Sequence, residues 1–271
     1  MPQFAANLSM MFTEYSFLDR FQAAADAGFE AVEYLFPYDF KPADLAERLE
    51  QTGLKQVLFN LPPGDWDAGE RGLACLPDRV DEFVHDLDEA LAYAHALECP
   101  RLHMMAGIAP VGFDRTHCIE TYRDNLKRAA DGAARHDRTV LIEPINARDM
   151  KGYFLNKFSE AIQHLDAVDR DNAKLQLDLY HCQIIRGDLA ETVRALLRRT
   201  DHIQIAGVPG RHEPDIGEIN YPYLFRLLDE LNYQGWVGCE YRPEAGTLEG
   251  LGWLREATRV DDAPEIAEQD I

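Results

Sequence analysis

Short apolar runs alternate with amphipathic segments along the chain, and this alternation constrains the fold more than any other feature. We predict strands at residues 4–8, 31–35, 55–60, 101–105, 139–143, 175–178, 202–205 and 236–240. Helices are predicted between and after them, at 17–27, 42–51, 78–97, 118–135, 157–167, 189–199, 223–231 and 248–257. This order predicts a closed parallel (β/α)8 TIM barrel. An open doubly wound sheet is less favoured, because no Gly-x-Gly-x-x-Gly sequence follows the first strand.

The chain is expected to form a single domain. No linker or shift in composition divides it, and about 250 residues is an ordinary length for one such barrel. We therefore assign residues 1–258 to the barrel. Residues 259–271 are acidic and are predicted to form a flexible C-terminal tail.

Four of the predicted strands carry a polar residue of the same orientation at or next to their C-terminal end. These residues are Glu143, Asp178, Gln204 and Glu240, spaced by 35, 26 and 36 residues. Alternate side chains of a strand face opposite sides of the sheet. The outward set would be the apolar residues Val140, Ile142, Leu175, Leu177, Ile203, Ile205, Val237 and Cys239. The four polar residues would then converge inside the C-terminal mouth of the barrel.

Three carboxylates crowded in a buried pocket repel one another unless a cation lies between them. We therefore predict a metal site formed by Glu143, Asp178, Gln204 and Glu240, instead of a chance set of polar loop residues. Oxygen ligands favour Mg²⁺ or Mn²⁺ over Zn²⁺. Glu143 and Glu240 approach from different strands, which suits moving a proton between adjacent carbons of a small substrate.

Other polar residues near the strand ends are candidates for binding a substrate. Asn7, Glu33, Asn60 and His103 share the inward orientation, and we expect Glu33 and His103 at the mouth. His181 follows the sixth strand and is placed to bond a substrate hydroxyl. Arg71 and Arg211 lie in loops with glycines, where a guanidinium suits a carboxylate; the alternative is an ion pair with Glu70 or Glu213.

Composition excludes several classes of partner. The 27 Lys and Arg residues against 48 Asp and Glu give a net charge of −21, which repels nucleic acid and anionic membranes. No run is long enough to cross a membrane, and no signal peptide is predicted. Five scattered cysteines without a Cys-x-x-Cys pair fit reduced thiols in the cytoplasm.

Several motifs resemble the hydroxypyruvate isomerase family, from about Pro2 to Trp253. They are residues 7–12, Phe36-Pro37-Tyr38-Asp39, residues 64–72, Glu143-Pro144-Ile145-Asn146, residues 217–221 and residues 235–241. The resemblance implies a xylose-isomerase-like barrel with the same four metal ligands and Glu143 and Glu240 as the acid/base pair. It also implies substrate contacts from His181 and Arg211, a small anionic hydroxy-oxo acid as substrate, and a homo-oligomer.

The family divides by substrate into hydroxypyruvate isomerases and 2-oxo-tetronate isomerases. Residues 205–209 depart from the Ile-Ala-Asp stretch of the hydroxypyruvate branch, whereas Arg148-Asp149, residues 152–156 and residues 180–183 resemble the oxo-tetronate branch. We therefore predict a metal-dependent 2-oxo-tetronate isomerase, with hydroxypyruvate isomerase as the alternative. More distant alternatives are a sugar 3-epimerase or a lyase on the same barrel, a DNA-repair endonuclease, and a sugar-acid binding protein without activity.

Overall fold

Eight parallel strands close into a barrel in the order of the chain, in a computed structural model that describes residues 1–109, 112 and 114–258. The strands are β1 (Gln3–Asn7), β2 (Ala31–Glu33), β3 (Lys55–Asn60), β4 (Arg101–His103), β5 (Thr139–Ile142), β6 (Ala173–Asp178), β7 (Thr200–Ile205) and β8 (Trp236–Cys239). β1 pairs with both β2 and β8, which completes the closure. The predicted TIM barrel is confirmed.

Helices surround the barrel. They are α1 (Arg20–Asp26), α2 (Pro42–Thr52), α3 (Val80–Ala96), α4 (Arg115–Ala134), α5 (Phe158–Val168), α6 (Leu179–Ile185), α7 (Leu189–Leu196), α8 (Tyr221–Glu230) and α9 (Gly252–Ala257). None of the helices in the described residues is both long and apolar enough to cross a membrane. The predicted tail, residues 259–271, lies outside the described residues.

The predicted orientation of the strand residues is confirmed by their packing. Val140, Ile142, Leu175, Leu177, Ile203, Ile205, Val237 and Cys239 all belong to the large core that includes helix side chains. A second, much smaller cluster contains Ala5, Ala31, Val57, Leu58 and Leu141, with Trp236 packed against it. The barrel interior is therefore apolar over a short depth only, and polar residues fill the rest.

Helix α6 was not predicted from the sequence. It begins directly after β6, and the side chain of Asp178 caps it: Oδ1 accepts hydrogen bonds from the backbone N–H groups of Tyr180 and His181. Such a cap satisfies donors that a helix leaves unpaired at its first turn. The sequence does contain signals for this helix: Asp178 is a typical N-cap residue, seven helix-compatible residues follow it, and Gly187 lies shortly beyond its end. A helix this short shows too little periodicity to be recognised.

Several strands end earlier than predicted. β5 ends at Ile142 and β8 at Cys239, so Glu143 and Glu240 each lie one residue beyond the last strand residue. Pairing between neighbouring strands stops there because the chain turns into the loops above the barrel. Both glutamate side chains consequently lie over the mouth, above the packed interior.

Candidate active site

Three carboxylates converge at the C-terminal mouth of the barrel, as predicted. Glu143 follows β5, Asp178 ends β6 and Glu240 follows β8, and their exposed fractions are only 4%, 1% and 6%. Single oxygens of Glu143 and Asp178 and a ring nitrogen of His181 all lie within 4.8 Å of one another. Since ionised carboxylates are rarely buried without a partner, this cluster needs positive charge or protons.

Burial governs the protonation of these groups. It raises the pKa of Glu240 to about 8, although Arg211 favours the ionised form. It also raises the pKa of Glu143 well above its usual range, with further contributions from Glu240 and Asp178. The pKa of Asp178 is raised by burial as well, against the opposing effect of Arg211. Near neutral pH the cluster therefore holds protons unless a cation replaces them.

Arg211 provides part of the positive charge. Its Nη2 lies 2.6 Å from Glu240 Oε2 and 3.5 Å from Asp178 Oδ2, and its guanidinium lies over the ring of Tyr180 at 4.9 Å. The backbone of Arg211 is left-handed, with φ of 57°, and its N–H bonds the carbonyl of Gly207. The tight loop after β7 thereby turns the side chain inward.

His181 faces the same cluster as a hydrogen-bond donor. Its Nε2 lies 3.5 Å from Asp178 Oδ2 and 3.9 Å from Glu143 Oε1. Its Nδ1 lies 2.6 Å from the amide nitrogen of Asn146, whose oxygen accepts from the backbone N–H groups of Arg148 and Asp149. The Asn146 nitrogen must therefore donate to Nδ1. Burial lowers the pKa of His181 well below its usual value, so the ring is neutral and Nε2 carries its proton.

His103 presents a hydrogen-bond acceptor, its Nε2, to Glu143. Its Nδ1 donates to Asn60 Oδ1 at 3.2 Å, and its Nε2 lies 3.7 Å from Glu143 Oε2. Burial lowers the pKa of His103 to about 3, so the ring is neutral and Nε2 presents a lone pair. His103 Nε2 and Glu143 Oε1 are both buried and have no hydrogen-bond partner within the described residues. Unpaired buried groups of this kind mark a place for a ligand.

A second layer of polar side chains lies beneath the mouth. Glu33 is fully buried; it accepts from Asn7 at 3.0 Å and from Gln204 at 2.8 Å, and it lies 2.6 Å from His202. A Cβ atom on Gly238 would collide with the Glu33 carboxylate. Neither Asn7 nor Glu33 lines the cavity above, so the expectation that Glu33 lies at the mouth is wrong. The contacts with Asn7, His202 and Gln204 hold the Glu33 side chain in the layer below the mouth.

Gln204 is held in the same layer. Its Nε2 donates to Glu33, and its Oε1 accepts from Gln176 at 2.6 Å. An amide oxygen has two lone pairs, so one remains available to a metal ion. Carboxylate and amide oxygens of this kind are the ligands that hard divalent cations such as Mg²⁺ and Mn²⁺ prefer.

A cavity of about 500 Å³ opens above these groups. Glu143, Glu240, His103 and His181 line it, together with Arg71, Arg211 and Arg242. Arg71 does not pair with Glu70, which instead binds Arg79 at 2.7 Å. The Arg71 guanidinium lies over the Trp66 ring at 3.8 Å and donates to the carbonyls of Trp66 and Glu70.

Two glycines fix the loop that carries Arg71. Gly72 has φ of 102° and Gly107 has φ of 97°, both in the left-handed region. A Cβ on Gly72 would collide with the carbonyl of Met105, so only glycine allows the loop after β3 to pack against the loop after β4.

Sequence reasoning had not assigned a role to two residues of the site. Asn146 belongs to the Glu143-Pro144-Ile145-Asn146 motif, but apart from this position nothing in the sequence indicated that it would bond His181. Arg242 lies two residues after Glu240, at the start of the loop that follows β8, which is where such barrels place functional groups.

Comparison with known proteins agrees with this geometry. A family model described as "Xylose isomerase-like TIM barrel" matches residues 21–257. A 2-oxo-tetronate isomerase of Cupriavidus necator is 56% identical, over 94% of this chain and 98% of the relative. A hydroxypyruvate isomerase of Escherichia coli is 44% identical, over 94% and 98%.

Solved structures share the fold. One from Brucella melitensis, described as an AP endonuclease of family 2, is 53% identical with a TM-score of 0.93, over 94% of this chain and 99% of that one. A D-allulose 3-epimerase from Methylomonas sp. has a TM-score of 0.73 at 20% identity, over 94% and 89%. At that identity the second likeness concerns the fold alone.

Proposed function

The chain belongs to the xylose isomerase-like TIM barrel family, and from this membership we propose that it interconverts 2-oxo-tetronate and 3-oxo-tetronate. Four relatives that are 44–56% identical are named 2-oxo-tetronate isomerase or hydroxypyruvate isomerase, and the chain is an isomerase. The observation that best supports this reaction is the pair of buried glutamates, Glu143 and Glu240, which line one cavity from different strands.

Moving the carbonyl from C2 to C3 requires two proton transfers at carbon and the movement of one proton from the oxygen on C3 to the oxygen on C2. One glutamate removes the proton from C3, and the electron pair moves through an enediolate toward the oxygen on C2. The other glutamate donates a proton to C2. The hydroxyl on C3 gives up its O–H proton as C3 becomes the carbonyl, and the oxygen on C2 takes up a proton and becomes a hydroxyl. Burial favours the protonated form of both side chains, which suits the residue that acts as the acid.

A divalent metal would be held by Glu143, Asp178, Glu240 and the remaining lone pair of Gln204. When bound, it supplies positive charge that offsets the carboxylates and stabilises an oxyanion developing on the substrate. Asp178 offers Oδ2, because Oδ1 is occupied by the first turn of α6. The proton on His181 Nε2 is directed at the same place and can bond a substrate oxygen.

Three alternatives fit less well, including the endonuclease activity named in the description of the Brucella melitensis structure. An endonuclease would have to attract DNA to a chain of net charge −21, and its zinc cluster would need several histidines. The only metal-ligand cluster found in the described residues contains two carboxylates and one histidine. A 3-epimerase or a lyase uses similar proton transfers, so product analysis must separate them from the isomerase.

Proton NMR in deuterated water tests the proposal directly. With Mg²⁺ or Mn²⁺ present, 2-oxo-tetronate should convert to 3-oxo-tetronate with deuterium incorporated at C2. Turnover of hydroxypyruvate should be slower. The higher identity to a 2-oxo-tetronate isomerase than to the E. coli hydroxypyruvate isomerase supports this order. A faster reaction with hydroxypyruvate would assign the enzyme to the other substrate, and an unchanged carbonyl position would contradict isomerisation.

Replacing Asn146 by Asp is expected to reverse the tautomer of His181. A carboxylate at residue 146 accepts a hydrogen bond from Nδ1–H, so the proton of the neutral ring moves to Nδ1 and Nε2 no longer presents one to the substrate. We expect kcat/KM to fall by about 10-fold or more, the order of one lost hydrogen bond to a charged group. Steady-state kinetics measure the effect, and an unchanged kcat/KM in folded N146D would contradict it.

Replacing Arg211 by Met is expected to lower kcat/KM by roughly 10- to 150-fold, which corresponds to about 1.5–3 kcal/mol. The change keeps the apolar stem but removes the cation beside Glu240 and Asp178. Arg211→Lys should recover part of the activity, because a point charge does not reproduce the guanidinium fork. Equal kcat/KM in R211M and the unmodified enzyme would show that the positive charge of Arg211 does not contribute to turnover.

A further inference from the structure

We propose that Arg242 binds the carboxylate of the substrate and so selects acids over neutral sugars. This inference rests on the proposed function, because it assigns the group that recognises the anionic end of the molecule. The isomerised carbons, C2 and C3, lie next to that carboxylate at C1, so the cation that receives it must lie close to Glu143 and Glu240.

Among the described residues, three arginines line the cavity, and two of them already make side-chain contacts. Arg71 is stacked on Trp66 and bonded to two backbone carbonyls. Arg211 is paired with Glu240 and Asp178 and lies 4.0 Å from Asp149. Each would have to give up a present contact to bind a substrate carboxylate fully.

The side chain of Arg242, unlike those of Arg71 and Arg211, is not engaged in such contacts within the described residues. Its side chain is exposed and lines the cavity, and within the described residues it makes no hydrogen bond, ion pair or aromatic contact. A guanidinium has five N–H donors in a planar fork that matches a carboxylate. Arg242 is thus the cavity cation with its full set of donors available.

The backbone of Arg242 is nevertheless fixed. Its N–H donates to the carbonyl of Arg211 at 2.8 Å, and its carbonyl accepts from His212 Nδ1 at 2.9 Å. The preceding residue, Tyr241, is fully buried, and its hydroxyl accepts from the indole of Trp253 at 3.2 Å. The side chain therefore extends from an anchored point two residues beyond Glu240, which restricts where its guanidinium can lie.

Charge explains why such a residue is needed. Three buried carboxylates form the floor of the cavity, and Arg211 together with a bound divalent cation would only balance their charge. An anionic substrate therefore gains from a second cation at the rim, on the side of Glu240. A neutral sugar of the same length would gain nothing from it.

Kinetics and calorimetry on Arg242→Met, Arg242→Lys and a control, Arg198→Met, test the proposal. Arg198 is exposed and precedes β7, at the opposite end of the barrel, so R198M removes the same charge far from the cavity. For R242M we expect kcat/KM for the oxo acid to fall by about 10- to 100-fold, mostly through KM, with partial recovery in R242K. R198M should match the unmodified enzyme.

Calorimetry separates this inference from the proposed reaction. Tetronate, an unreactive four-carbon acid, should bind R242M more weakly by a similar factor. Erythrulose, in which a hydroxymethyl group replaces the carboxylate, should bind R242M and the unmodified protein equally. Equal weakening for both ligands, or none for tetronate, overturns the assignment to Arg242. If the unmodified enzyme turns over neither oxo acid, the proposed reaction fails, while the tetronate titrations still decide the role of Arg242.

Discussion

Exhaustive treatment with EDTA is expected to abolish isomerisation, and added Mg²⁺ or Mn²⁺ to restore it. Glu143, Asp178 and Glu240 are almost fully buried, and in the absence of a cation the raised pKa values of these groups keep protons in the cluster. A protonated carboxyl group is neither a good ligand nor a base. Turnover measured by NMR, beside elemental analysis of the same sample, checks the expectation.

The thermal midpoint of unfolding provides a second readout. A metal at 100 times its Kd stabilises the folded state by about 2.7 kcal/mol, so the metal-free protein should unfold at a lower temperature. Zn²⁺ serves as a comparison, because it prefers nitrogen and sulfur ligands. Full activity in protein shown to be metal-free would rule out the metal-dependent reaction.

Glu143→Gln and Glu240→Gln are each expected to reduce kcat by roughly 10²–10⁴-fold, the usual contribution of general acid–base catalysis. Glutamine keeps the shape of the side chain but cannot exchange a proton in this way. The measurement is the rate of turnover together with the rate of deuterium exchange into the substrate. Loss of exchange in one variant only would show which glutamate removes the first proton.

Glu120→Gln is a matched control for this pair. Glu120 is exposed on α4 and does not line the cavity, and its replacement changes the net charge by the same amount. The metal content of each variant separates the two roles of the glutamates. Retained metal with lost turnover indicates proton transfer, whereas lost metal indicates coordination. Near-normal turnover in either folded variant would remove that residue from the reaction.

The sequence was sufficient to predict the barrel and the residues on its floor. Alternation along a strand is local information, so the orientation of Glu143, Asp178 and Glu240 followed from their neighbours Ile142, Leu177 and Cys239. The packing of those apolar residues against the helices confirms that step. The spacing of the strands then placed the carboxylates at one end.

Other features depend on contacts between distant parts of the chain. Glu33 was expected at the mouth, but Asn7, His202 and Gln204 hold it below, from two other strands. The pairing of Arg211 with Glu240 and the bond from Asn146 to His181 also join separate loops and helices. The hydrophobic pattern of a sequence carries no information on contacts between distant segments. For this reason, the partners of Arg71, Arg211 and Arg242 were not predicted from the sequence.

The floor and the rim of the cavity are built on different kinds of support. Glu143, Asp178 and Glu240 stand at or next to strand ends, where the closed barrel fixes them, whereas Arg71 and Arg211 are carried by loops that contain glycines. A change in the loop that carries Arg71 can therefore alter which molecule enters without disturbing the glutamates proposed to transfer the proton, whereas a change in the loop that carries Arg211 also affects its ion pair with Glu240. This separation makes the scaffold suited to acquiring new substrates by exchange of the segment after β3, while the groups at the strand ends are retained.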